Sequence, residues 1–63
     1  MAKITYDVEK CFRKLVDDYY TIDVNYLRNE VDELDSWFQE NQDEYDVIDN
    51  NFFLETIEEN IHY

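Results

Sequence analysis

The sequence predicts an all-α fold: a small three-helix bundle with a short extra helical turn. Three observations lead there. Apolar residues recur at helical spacing through most of the chain. There is no Gly and no Pro to punctuate hairpin turns. No stretch alternates apolar and polar residues cleanly enough to read as a strand. The 63 residues make one domain at most, since domains usually run to about 100–150 residues.

The first helix is expected over about residues 6–20. Thr5 is its predicted N-cap, and Val8, Cys11, Phe12, Leu15, Val16 and Tyr19 form one apolar face. Glu9–Arg13 and Lys14–Asp18 stand four apart, a spacing that favours ion pairs on the outer face. Thr21-Ile22-Asp23 breaks the pattern, with Asp23 as the next cap. Val24, Leu27, Val31, Leu34 and Phe38 then follow a 3-4-3-4 spacing, which gives a second helix over about 24–40 with a heptad-like seam.

Asn41-Gln42-Asp43-Glu44 has the form of a capping box and predicts an extra turn near 42–48. Beyond it, Tyr45, Ile48 and Phe52 make one stripe, and Phe53, Ile57 and Ile61 another. At 100° per residue these stripes lie about 155° apart. One straight helix cannot bury both on one surface, so a break is expected at Asp49-Asn50-Asn51. The third helix then runs over about 51–62. Phe52 is expected to cap the bundle beside Tyr45.

The charge divides the chain. There are 17 acidic and 5 basic residues, a net charge of −12. Residues 1–28 carry five of each and sum to zero, whereas residues 29–63 carry twelve acids and no Lys or Arg. The whole net charge therefore belongs to the second half. A solvated helix face usually mixes signs, because pairs four apart stabilise it. Here Asp32–Glu33–Asp35 and Asp43–Glu44–Asp46 look uncompensated. Laid along a helix, twelve charges in 35 residues come about every 4.4 Å. One DNA strand carries a charge about every 3.4 Å.

Several functions are excluded by this composition. A single Cys permits no internal disulfide and no Cys-rich zinc site. Cys11 reads as a small core hydrophobe, because the single His (His62) stands near the C-terminus. No phosphate loop, cofactor motif or Glu-x-x-His spacing occurs. Asp43-Glu44-Asp46-Asp49 lacks the Gly and the 1-3-5 spacing of a calcium loop. No cofactor, no metal and no enzymatic activity are expected. Direct nucleic-acid binding is disfavoured, because phosphate repels a −12 body. No membrane span and no secretory signal are visible, so a cytoplasmic protein of the host cell is expected.

What remains is a protein–protein interaction. On the second helix Tyr26, Glu30, Glu33 and Trp37 share a flank of the seam, an aromatic–acid–acid–aromatic stripe suited to a contact. Glu30, Asp32, Glu33, Glu40, Asp43, Glu44 and Asp46, with Tyr26, Trp37 and Tyr45, are the expected partner-binding residues. In small size, clustered acids and interleaved aromatics the chain resembles virus- or mobile-element-encoded inhibitors that imitate nucleic acid. Such proteins block restriction enzymes, CRISPR effectors and other nucleic-acid-binding proteins. The resemblance is one of composition and transfers no residue. It implies a DNA-mimic inhibitor, of anti-CRISPR or anti-restriction type and phage origin, whose partner is a basic nuclease, CRISPR effector or DNA-binding protein. The alternatives are an antitoxin or immunity protein neutralising a small basic toxin, a transcription-related adaptor, or a structural subunit that forms a homodimer through the second-helix seam.

Overall fold

The computed structural model describes residues 3–61. The all-α bundle is present: α1 spans Val8–Asp18, α2 Val24–Glu40 and α3 Asn50–Asn60. A single 3₁₀ turn, η1, occupies Gln42–Glu44. The predicted third helix reaches residue 62, which lies outside the described residues, as does His62. The structure adds a two-stranded parallel sheet, β1 (Lys3–Ile4) beside β2 (Val47–Ile48). Lys3 faces Val47 and Ile4 faces Ile48. The Lys3 N–H donates to the Asp46 carbonyl and the Thr5 N–H to the Ile48 carbonyl, both at 2.9 Å.

This sheet corrects two expectations. The chain before α1 is extended rather than helical, so Thr5 is not the cap. Its N–H and its hydroxyl are both directed at the Ile48 carbonyl. Asp7 caps α1 instead, accepting from the Lys10 N–H at 3.1 Å. Likewise residues 45–48 leave the helical path after η1 because Val47 and Ile48 pair with β1. Asn41 does not head a capping box, since its side chain accepts no cap bond. It closes α2, its backbone and side-chain N–H groups both donating to the Trp37 carbonyl.

Asp23 caps α2 by accepting from the Asn25 N–H at 2.8 Å. The predicted break at Asp49 is the N-cap of α3, where the carboxylate accepts from the Phe52 N–H at 2.9 Å. Losing such a cap costs about 1 kcal/mol. Asp49→Ala is therefore expected to lower the unfolding free energy by that amount, read as a lower urea midpoint with an unchanged slope. A slope that falls with the midpoint would show that more than the first turn of α3 had been lost.

The core is one cluster. Leu15 of α1, Leu27, Val31 and Phe38 of α2, Ile48 of β2, and Phe53, Ile57 and Ile61 at α3 are buried together with Cys11 and Tyr6. The α2 seam and the Phe53–Ile57–Ile61 stripe are thus on the inside, as their spacing requires. Val24 departs from its seam and is exposed. Tyr45 and Phe52 are half-buried, their ring centroids 5.4 Å apart, so Phe52 closes the bundle beside Tyr45. Phe38 is the aromatic hub, with Tyr6, Trp37, Tyr45, Phe52 and Phe53 all within 6.0 Å of its ring centre.

Two polar contacts fasten the edges of this core. The Asn50 side-chain oxygen accepts from the Asp7 N–H at 2.7 Å and from the Cys11 thiol at 3.5 Å. It ties the start of α3 to the start of α1, and burial pushes the Cys11 thiol pKa up. Tyr6 packs its ring on Phe53 at 4.5 Å and donates its hydroxyl to Asp35 of α2 at 2.6 Å.

Candidate functional site

The candidate site lies on α2, where the sequence places a flank of acids and aromatics beside the core seam. Leu27, Val31 and Phe38 must face inward. At 100° per residue that turns Glu30, Glu33 and Trp37 onto one outer edge, toward α3. Trp37 sits on the edge of the core, its ring against Phe38 at 5.5 Å and Tyr45 at 6.1 Å, yet it stays 43% exposed.

An open groove of about 550 Å³ runs there between α2 and α3. Its size falls within the roughly 300–1,000 Å³ of small-ligand pockets. Leu34 and Ile57 supply its apolar part, Trp37 and Tyr45 its aromatic part, and Glu30 and Glu33 its charge. Thr56 and Asn60 of α3 complete it. A shallower depression of about 350 Å³ shares Glu33 and Trp37 and adds Asp32, Ser36 and Glu40.

The expected partner-binding residues therefore separate into groups. Glu30, Glu33, Trp37 and Tyr45 line the groove, and Asp32 and Glu40 line the depression beside it. Asp43, Glu44 and Asp46 follow on η1 and the approach to β2, all exposed and lining neither hollow. Tyr26 lines neither and is half-buried against the core. Thr56 and Asn60 carried no sequence signal, because only the packing of α3 against α2 brings them to this face.

The carboxylates are less uniformly unpaired than the sequence suggests. Asp35 accepts the Tyr6 hydroxyl. Asp32 meets Arg28 at 3.4 Å, and the Asn29 amide donates to one Glu33 oxygen at 3.3 Å. The expected Lys14–Asp18 pair is present at 3.2 Å. Glu9–Arg13 is not: Arg13 donates to the Glu9 carbonyl, and the Glu9 carboxylate takes Arg28 at 2.8 Å. Arg28 wins because its fork reaches Glu9 and Asp32 together while its guanidinium carbon lies 5.1 Å over the Phe12 ring.

Arg28 is the last base before the acidic half, and it is committed to this clamp. Among the described residues Glu30, Glu33, Glu40, Glu44 and Asp46 enter no ion pair. None of the three helices has a basic residue in its last turn, where cations would be stabilised by the helix dipole. Among the described residues no group of three or more His, Cys, Asp or Glu is placed to hold a metal ion, and none of the buried residues is polar or charged. No helix among them is long and apolar enough to cross a membrane. Comparison with protein-family models, with curated proteins and with solved structures returns no match.

Proposed function

We propose that this chain is a non-catalytic binding protein whose acidic half occupies the basic cleft of a nucleic-acid-binding protein and excludes nucleic acid by direct competition. One observation carries the reading. Among the described residues Glu30, Glu33 and Glu40 stand without ion pairs beside an exposed tryptophan, and the acidic stretch continues through Glu44 and Asp46. Leaving so many like charges uncompensated lowers the stability of a small fold. A complementary basic surface recovers that cost on binding, and the same field speeds the encounter. The half-exposed Trp37 supplies the aromatic anchor that interfaces favour.

The test is capture of partners from a host lysate, with Glu40→Lys, Glu44→Lys and Asp46→Lys combined in one variant. These three residues are exposed, and a lysine at position 40 suits the C-terminal end of α2. At about 0.1 M salt the wild-type protein is expected to retain nucleic-acid-binding proteins that added duplex DNA or RNA then releases. The triple variant should keep its helical circular dichroism and retain none of them. Retention that withstands both added nucleic acid and about 0.5 M salt, where screening is roughly twice as short-ranged, would overturn the proposal. A small basic toxin as the captured species would instead make the chain an antitoxin.

A further inference from the structure

The groove between α2 and α3 points to the chemistry of the residue it takes. We infer that it is a socket for one arginine side chain of a protein partner, with the guanidinium stacked on Trp37 and hydrogen-bonded to Glu30 and Glu33. This inference deepens the proposed function and rests on it.

Three observations carry the assignment. The first is the balance of donors and acceptors. The Thr56 hydroxyl spends its proton on the Phe52 carbonyl at 2.8 Å, and the Asn60 amide nitrogen donates to the Thr56 carbonyl at 2.8 Å. What they have left to offer is the Thr56 and Asn60 side-chain oxygens and one Asn60 amide N–H. Among the described residues Glu30 accepts no hydrogen bond and Glu33 only the one from Asn29. Against these acceptors the donors left among the lining side chains are the Trp37 indole N–H, the Tyr45 hydroxyl and the second Asn60 amide N–H, and none of them is charged. A ligand rich in donors and devoid of acceptors fits such a set. The guanidinium, with five N–H groups and no acceptor, is the side chain of that kind.

The second observation is an internal precedent. Arg28 already sits in a site of this composition, over the Phe12 ring and between the Glu9 and Asp32 carboxylates. The groove repeats those parts with Trp37 as the ring and Glu30 and Glu33 as the carboxylates. Tryptophan is the strongest of the aromatic partners for a cation. The parts recur, but the chain itself supplies no Lys or Arg beyond position 28 to fill them.

The third is shape. The groove has apolar walls from Leu34 and Ile57 leading to the charged rim. An arginine lays its methylene stem along such a surface and keeps its head at the polar edge. A lysine would satisfy the charge but neither the stacking nor the paired acceptors.

Trp37 is the single tryptophan, so its fluorescence reports on the groove directly. The probe is a short alanine-based helical peptide carrying arginines four apart, titrated beside its lysine and citrulline counterparts. The arginine peptide is expected to shift the emission saturably and to bind about fivefold tighter than the lysine peptide, the ratio that a stacking contact of about 1 kcal/mol produces. Citrulline should not bind. Glu30→Gln with Glu33→Gln should weaken the arginine peptide by about tenfold or more while the circular dichroism stays unchanged. Trp37→Leu, followed by calorimetry, should erase the preference for arginine over lysine. Equal binding of the two cationic peptides overturns the socket and leaves the acidic face as a purely electrostatic surface. Binding of neither overturns the socket and removes support from the proposed function as well.

Discussion

Phe38→Ala is expected to leave the protein unfolded at 25 °C. The ring is fully buried and stands at the centre of five aromatic contacts that join the segment before α1, α2 itself, the segment after η1 and α3. Truncating a buried Phe to Ala costs about 3–5 kcal/mol. At about 0.05–0.15 kcal/mol per residue, a chain of 63 residues has roughly 3–9 kcal/mol in total. The loss is therefore comparable with everything that holds the fold. Far-UV circular dichroism should show the helical signal gone, or a thermal transition moved below room temperature. Phe38→Leu keeps most of the volume and should stay folded with a lower midpoint. A cooperative transition in Phe38→Ala within about 1 kcal/mol of wild type would show that Phe52 and Phe53 close the gap without it.

The second large effect is expected at Tyr6. Its hydroxyl donates to the Asp35 carboxylate at 2.6 Å from a nearly buried position. Burial, reinforced by the Asp35 hydrogen bond and charge, pushes the phenol well above its ordinary range. A hydrogen bond to a charged group contributes about 1.5–3 kcal/mol, which Tyr6→Phe should remove at pH 7. The unfolded phenol ionises near pH 10. A folded pKa above that means the contribution is complete below about pH 10 and is lost as the pH rises beyond it. Urea unfolding at pH 7, 9 and 11 should therefore show a constant gap between wild type and Tyr6→Phe up to pH 9, narrowing at pH 11. A gap that stays the same at pH 11 would mean that the hydroxyl contributes by packing alone.

How far the sequence discloses this molecule depends on the range of each interaction. The second helix is legible because the Asp23 cap and the Leu27–Phe38 spacing act within one element, whereas Asn41, which reads as the start of the next turn, closes the helix instead. The Asp49 break is legible for the same reason: two apolar stripes on opposite sides require a stop. The small sheet is not. Each strand is two residues long, so no alternation can build up, and the pairing partner is more than forty residues away. Tyr6 is the casualty, read as the start of a helix when it belongs to an extended segment. The alternation of exposed Lys3, Thr5 and Asp7 with inward Ile4 and Tyr6 is the trace that could have shown it.

The site divides in the same way. Glu30, Glu33 and Trp37 are on one helix and their common edge follows from the angle between them. Tyr45, Ile57, Thr56 and Asn60 arrive by tertiary packing. The hydrogen bonds of Thr56 and Asn60, which bear on the donor and acceptor balance of the groove, have no counterpart in the sequence pattern.

The pairing of β1 with β2 also bears on the order in which the chain assembles. Lys3 and Val47 close a loop that encloses both of the first two helices. Closing so long a loop from the open chain costs on the order of 3 kcal/mol in entropy, beyond a constant term. The pairing returns only the few ladder bonds of two-residue strands, at about 1 kcal/mol each. The strands thus cannot meet before the helices have brought them close. The α1–α2 hairpin, whose partners are near in sequence, is therefore expected to form first and the N-terminal segment to be laid on last. Replacements in that segment should then show in the rate at which the native state comes apart, with little change in the rate at which it forms.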